Sequence, residues 1–243
     1  MRARARGRTL IPRRSAAGHG PTPPGKRGVV RGRPAGRYVT AVGADGRRRR
    51  LSAEDWARAA LEMIGEQGLA GVAVEPLAVR LGTTKGSFYW HFANRDALVT
   101  AALARWEREH TEGVIEALGA PVDPAAALRQ LFASTTTTAA AGRLHVRVEV
   151  NLLAAAGDPL VAPAVHRVVR RRVDYLRTLF EDLGFDADEA ARRALLAYST
   201  HVGHLQLMVR MPELVPDGRA DQLAYLDTVI GVVTPPRNDS ADR

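Results

Sequence analysis

From Leu51 onward, apolar side chains recur every three or four positions along almost the whole chain. Side chains at that spacing line one side of an α-helix, and such a chain buries them by packing helix on helix. The expected fold is therefore all-α. Ser52 can cap a first helix, with Asp55 three residues on as in a capping box. Trp56, Ala59, Ala60, Met63 and Ile64 then form one stripe, which Gly68 closes. A short helix is predicted over about 74–81, with Leu77, Ala78 and Leu81 inward and Pro76 tolerated in its first turn. Gly82-Thr83 turns the chain into a second short helix over about 84–90. A longer one starts at Asn94, its stripe of Leu98, Ala101, Ala102 and Trp106 interrupted by Arg105.

Beyond Pro121 the helices lengthen. Asp123-Pro124 places a cap before a proline at the first helical position and opens a segment with Leu128, Leu131 and Phe132 inward. Residues 160–183 hold the next stripe, ended by Gly184, with Phe185 placed to pack back on it. Asp186 and Glu189 start another helix, which stops before Pro212. One stretch departs from the pattern. Leu144, Val146, Val148 and Val150 alternate with His145, Arg147 and Glu149, the period of a strand. A lone strand has no partner elsewhere in the chain, so packing is expected to override it to helix. No internal repeat is present.

Charge divides the chain. Residues 1–50 hold 15 of the 35 basic side chains and a single acid, Asp45, leaving 20 bases against 25 acids in the rest. Residues 1–46 are rich in Gly, Pro and Arg without a sustained period, and are expected to form a disordered arm. Such an arm suits phosphate neutralisation. A dispensable extension or a translation start set too far upstream is an equal alternative; a transit peptide ranks last, because no amphipathic helix is evident. A chain without cysteine has no disulfides, thiolate nucleophiles or thiolate metal sites. No run approaches the roughly 18–20 apolar residues of a membrane span, so a soluble, cytoplasmic protein is expected.

Two short helices, a turn with glycine and a supporting first helix make a helix-turn-helix. The sharper signal is Leu81-Gly82-Thr83-Thr84-Lys85-Gly86-Ser87-Phe88-Tyr89-Trp90-His91-Phe92, followed by Asn94-Arg95-Asp96-Ala97-Leu98. Over about residues 51–106 the sequence closely resembles the tetracycline-repressor (TetR) family of bacterial transcription regulators. The resemblance implies that Thr84, Lys85, Gly86 and Tyr89 meet bases or the groove wall. It likewise implies that Ser87, His91 and Arg95 hold phosphates. Thr83 and Trp90 complete the candidate DNA-binding set, with Tyr89 preferred to Trp90. The residue types fit that chemistry: hydroxyls and cations dominate backbone contacts, and small side chains let a helix end enter a major groove. Phe88 and Phe92 are expected to be core plugs. His91 has a rival role in bracing the next helix.

Two features depart from the family. Ala73 stands where a Ser or Thr cap is usual, costing roughly 1 kcal/mol. Residues 51–98 hold four bases, Arg58, Arg80, Lys85 and Arg95, against six acids. The extra cations are expected from Arg47, Arg48, Arg49 and Arg50, as accessory contacts to adjacent phosphates or the minor groove.

In the second half, Ala191, Leu195, Tyr198, Val202, Leu205 and Val209, and separately Leu223, Leu226, Ile230 and Val233, form seams with a 3.5-residue repeat. They can line the subunit's own core. The resemblance instead implies a four-helix interface between two subunits, and a ligand pocket among the middle helices. Polar candidates for that pocket are Thr135 to Thr138, His145, Asn151, His166, His201 and His204, with no pocket residue assigned. His201 and His204 lack a third ligand, so no metal is expected, and no cofactor is implied. No nucleophile motif, phosphate loop or paired-carboxylate signature appears, so the chain is not expected to be an enzyme.

The expected architecture is a disordered arm (1–46), a three-helix DNA-binding bundle with its helix-turn-helix (47–98), a larger helical ligand-binding and dimerisation domain (99–233) and a disordered tail (234–243). The expected function is a ligand-responsive transcriptional regulator, a repressor, binding a near-palindromic operator as a homodimer. Its expected partners are operator DNA, a second copy of itself and a small-molecule effector. The alternatives are a helical enzyme or carrier with a vestigial helix-turn-helix, and a non-specific nucleic-acid binder driven by the arm.

Overall fold

The computed structural model describes residues 51–119, 121, 123–136 and 143–234. The arm over 1–46, Arg47 to Arg50, Thr137, Thr138 and residues 235–243 of the tail lie outside the described residues.

The described residues are all-α. Helices α1 (Ala53–Gln67), α2 (Val74–Arg80), α3 (Lys85–Tyr89) and α4 (Arg95–Glu107) make an N-terminal bundle. A π-helical turn, Arg108–Glu112, leads from α4 into α5 (Gly113–Leu118). The larger C-terminal part holds α6 (Pro124–Thr136), α7 (Arg143–Ala154), α8 (Ala162–Asp182), α9 (Ala187–Arg210) and α10 (Arg219–Val233).

The helix ends follow the local sequence signals. The Ser52 hydroxyl accepts from the Asp55 amide at 3.2 Å while the Asp55 carboxylate accepts from the Ser52 amide at 2.9 Å, a complete capping box. Asp123 accepts from the amides of Ala125 and Ala126, and Asp186 from that of Glu189. Gly68 and Gly184 end α1 and α8 at positive φ, and Phe185 packs edge-on against Phe180 with ring centroids 6.1 Å apart. Ala73, as expected, gives α2 no side-chain cap.

The first core gathers Trp56, Ile64, Leu77, Phe88, Leu98 and Trp106, all fully buried, and does not stop at α4. Val148 and Leu152 of α7 and Val165 and Val168 of α8 belong to it. A second core joins α6, α8, α9 and α10 through Leu128, Phe132, Leu179, Phe180 and Leu226. The strand-like alternation is helix, as expected, and the reason is visible. Val148 and Leu152 face α1, whereas Val146 and Val150 meet Leu205 of α9. Residues two apart on a helix point to opposite sides, so two buried faces interleave into an apparent period of two. On its α1 side the approach is close. A Cβ on Gly65 would meet Leu144 Cδ1 at 2.7 Å and Val148 Cγ2 at 2.9 Å.

The two seams are divided between the interior and the surface. Tyr198, Leu205, Leu226 and Val233 are buried, Val202, Val209 and Ile230 are half-buried, and Ala191, Leu195 and Leu223 are exposed. Helix α9 packs on α8, and α10 on α6, so part of each stripe serves the chain's own core. Leu195, Leu196 and Leu207 of α9 and Leu223 and Val232 of α10 remain on the surface. Among the described residues, no helix is long and apolar enough to cross a membrane.

Candidate nucleic-acid interface and an interior cavity

Helices α2 and α3 meet at Gly82, whose φ of 64° lies in the left-handed region that glycine adopts without strain. The Thr83 amide donates back to Ala78 O at 2.9 Å, and the Thr84 hydroxyl accepts from the Ser87 amide at 3.3 Å as the cap of α3. With only five residues, α3 cannot hold its shape by backbone hydrogen bonds alone. Phe88 supplies the anchor. It is fully buried, edge-on to Trp56 at 5.4 Å and stacked on Phe92 at 5.6 Å. Phe88 and Phe92 are core plugs, as read from the sequence.

That anchor leaves the rest of α3 outward. Tyr89 is 56% exposed and Trp90 83%, and Thr84, Lys85 and Gly86 are exposed beside them. A Cβ on Gly86 would meet only Thr84 Oγ1, at an ordinary 3.6 Å, so nothing inside the described chain requires glycine there. Thr83 and Ser87 are half-buried. His91 is half-buried too, its ring tilted beside Phe92.

The cations are arranged differently from what charge counting suggests. Arg95 donates Nε to Val72 O and Nη2 to Leu69 O, both at 2.8 Å, tying the start of α4 to the turn before α2. Its Nη1 lies 3.4 Å from Asp96. Arg58 pairs with Asp55, Arg80 with Glu66, and Lys85 with Glu75 at 2.5 Å. The hydrogen bond from Lys85 holds the Glu75 carboxyl below its ordinary value and raises the lysine in turn. All four bases of residues 51–98 thus already face an acid. The bracing role of Arg95 had no sequence signal, because the carbonyls it meets lie more than twenty positions away.

The second feature is a cavity of about 310 Å³ between the π-turn, α5, α6, α7, α8 and α9. Apolar residues such as Ile115, Leu131, Phe132 and Leu176 line most of it. Its polar wall centres on Glu149 and Arg172, which form a short, largely buried ion pair. Burial alone would raise the Glu149 carboxyl, but Arg172 and His201, 3.5 Å away, overcome it and hold the group at about 2. Arg172 also donates to the Thr111 hydroxyl and to His110 O, each at 3.0 Å, and lies over the Trp106 ring at 5.7 Å. One guanidinium therefore touches the cavity, the end of α4 and the middle of the π-turn. Neighbouring arginines of α8 hold the flanks of that turn, Arg167 on Glu107 and Arg171 on Glu112. A π-turn is a local excess of one residue, a form often found at functional positions.

Of the polar pocket candidates, His145 and His201 line this cavity. Thr136 and His204 sit instead at a smaller one of about 40 Å³. Asn151 braces α7 against α1 by donating to Ile64 O at 2.8 Å, and His166 is exposed. The sequence pattern did not mark Glu149, Arg172 or Tyr175, because a charged run on an amphipathic helix reads as a solvated face. Among the described residues, no cluster of three or more His, Asp or Glu could hold a metal ion.

A capped, glycine-turned helix pair standing on a supporting first helix defines a helix-turn-helix protein. Residues 57–102 match the family model of the bacterial regulatory proteins, tetR family. The chain is 43% identical over 58 residues to the class A tetracycline repressor of transposon 1721 from Escherichia coli, which is 24% of this chain and 27% of that protein. It thus spans about a quarter of that curated relative's length. A transcriptional regulator from Rhodococcus sp. Rha1 superposes with a TM-score of 0.65 at 24% identity, covering 75% of this chain and 96% of that one. AibR, solved with isovaleryl coenzyme A and operator DNA, gives 0.55 at 21% identity, covering 75% of this chain and all of its own. Over its helix-turn-helix the chain is therefore similar to the tetR family of bacterial regulatory proteins.

Proposed function

We propose that this protein is a ligand-responsive transcriptional repressor that binds a near-palindromic operator as a homodimer. In this reading residues 47–98 form the DNA-binding domain and 99–233 the ligand-binding and dimerisation domain. The observation that carries it is the outward side of α3, where Tyr89 and Trp90 stand exposed beside a glycine that the chain's interior does not need. A major groove is the partner that such a short, protruding helix end fits. Thr83, Thr84, Lys85, Gly86, Ser87, Tyr89 and Trp90 are its contacts. His91 and Arg95 support them from behind, with Arg47 to Arg50 supplying phosphate contacts. The exposed leucines of α9 and α10 support a two-fold interface that would present two copies of α3 to successive grooves.

The cavity is the effector site in this reading, and Arg172 links it to the DNA-binding helices. A molecule that binds one arrangement of the π-turn better than another shifts α4, and with it the pair α2–α3, by its differential affinity alone. Selecting bound fragments from a random duplex pool at physiological salt, with the full chain and with residues 1–50 removed, tests the DNA reading. A shared near-palindromic preference in both pools is the expected result; binding without preference, or none after the deletion, contradicts it.

Glu75 restrains Lys85 in the free protein. Glu75→Gln is therefore expected to tighten binding to a selected duplex several-fold. Titration of parent and variant against that duplex reads the change, and unchanged or weaker binding would show that the Glu75 pair does not hold Lys85 back from the DNA.

A further inference from the structure

Resting on the assignment of the cavity as the effector site, we infer that its ligand is an uncharged, mostly apolar molecule. One or two of its oxygens accept hydrogen bonds from the hydroxyls of Tyr175 and Tyr198.

The charges on the cavity wall already satisfy one another. Glu149 is held by Arg172 and His201, and Arg172 spends its donors on Glu149, Thr111 and His110 O. An anionic ligand would have to draw Arg172 away and leave Glu149 buried without its strongest partner. A cationic ligand would have to do the reverse. Either exchange replaces an optimised buried pair with a worse one. His110 and His145, stacked with ring centroids 5.7 Å apart, are held below the usual histidine value by burial, so they offer neutral nitrogens and no positive charge near pH 7.

The phenols are the complementary observation. The hydroxyls of Tyr175 and Tyr198 are buried without a well-formed partner among the described residues; Arg172 approaches that of Tyr198 only as a donor, so the phenol's own proton has no acceptor. Burial pushes Tyr198 up to about 12, so its hydroxyl remains a donor at any physiological pH. A buried donor without a partner is costly, and a turn of the phenol that brings it onto a ligand oxygen in the cavity removes the cost. Ile115, Leu131, Phe132 and Leu176 supply the apolar surface for the rest of the molecule. A volume of about 310 Å³ is at the small end of sites for such ligands.

The test uses four probes on one skeleton: 4-phenylbutan-1-ol, 4-phenylbutanamide, 4-phenylbutanoate and 4-phenylbutylamine. Each is titrated into the full-length protein by calorimetry, and by its effect on affinity for a selected duplex. The alcohol and the amide are expected to bind at least tenfold tighter than the acid and the amine. The Tyr175→Phe, Tyr198→Phe double variant, which keeps the cavity's volume, should lose that binding at least tenfold while its thermal midpoint without probe stays within a few degrees. Equal or tighter binding of the acid or the amine overturns the inference, as does binding by none of the four or undiminished binding to the double variant. A charged probe that binds and alters duplex affinity would leave the cavity as the effector site while overturning its chemistry. A neutral probe that binds without altering duplex affinity would uphold the chemistry and overturn the effector assignment.

Discussion

Phe88→Ala is expected to destabilise the N-terminal bundle by about 3–5 kcal/mol, the range for truncating a fully buried phenylalanine. Two costs combine. The ring's contacts with Trp56 and Phe92 disappear, and the cavity left lies between helices too short to close over it. A five-residue helix has no independent stability, so α3 is expected to lose its fixed orientation before the chain unfolds. Urea unfolding followed by tryptophan fluorescence measures the loss, and amide exchange over 83–92 should accelerate relative to the rest of the chain. The neighbouring Trp90→Ala makes the contrast. That side chain is 83% exposed and contributes to no core, so stability should stay within about 0.5 kcal/mol while affinity for the selected duplex falls. A Phe88→Ala variant that unfolds within about 1 kcal/mol of the parent would show that α3 is held by something other than this ring.

The helices were legible because their signals are local. Ser52, Asn94, Asp123 and Asp186 cap where the chain places them, and the stripe from Trp56 to Ile64 is buried along its length. The alternating segment around Val148 was legible only by elimination: two buried faces produced the period of a strand, and it took α1 and α9 on opposite sides to explain it. The seams on α9 and α10 were half legible. A 3.5-residue repeat marks an apolar face without saying which neighbour covers it, and here Tyr198 and Leu205 turn inward while Leu195 does not. The outward residues of α3 were readable from the motif. The bracing by Arg95 and the cavity wall of Glu149 and Arg172 were not. Those interactions join residues 23 and more positions apart, and a charged side chain in a helical pattern carries no mark of being turned inward.

Arg172→Met should cost about 3–5 kcal/mol at neutral pH, because it leaves Glu149 buried beside His201 alone. The dependence on pH separates this cause from simple loss of packing. In the parent the Glu149 carboxyl is held at about 2, below its ordinary 4.5. A carboxyl lowered on folding contributes its full stabilisation above the unfolded value and loses it as pH falls from about 4.5 toward 2. That contribution is about 3 kcal/mol. Without Arg172 the effect of burial dominates, and the native carboxyl rises above its unfolded value. The variant's native state then takes up a proton more readily than its unfolded state, so acidification favours it. The difference in unfolding free energy between parent and variant should therefore shrink as pH is lowered from 7 to 4. A difference that stays constant would assign the loss to packing. The double variant Glu149→Leu, Arg172→Met removes both charges and should recover most of the stability at neutral pH. It would still lack the hydrogen bonds to Thr111 and His110 O that hold the π-turn. Amide exchange over 108–112 should thus stay fast in the double variant even where its global stability returns, which separates the clamp on α4 from the electrostatics of the pair.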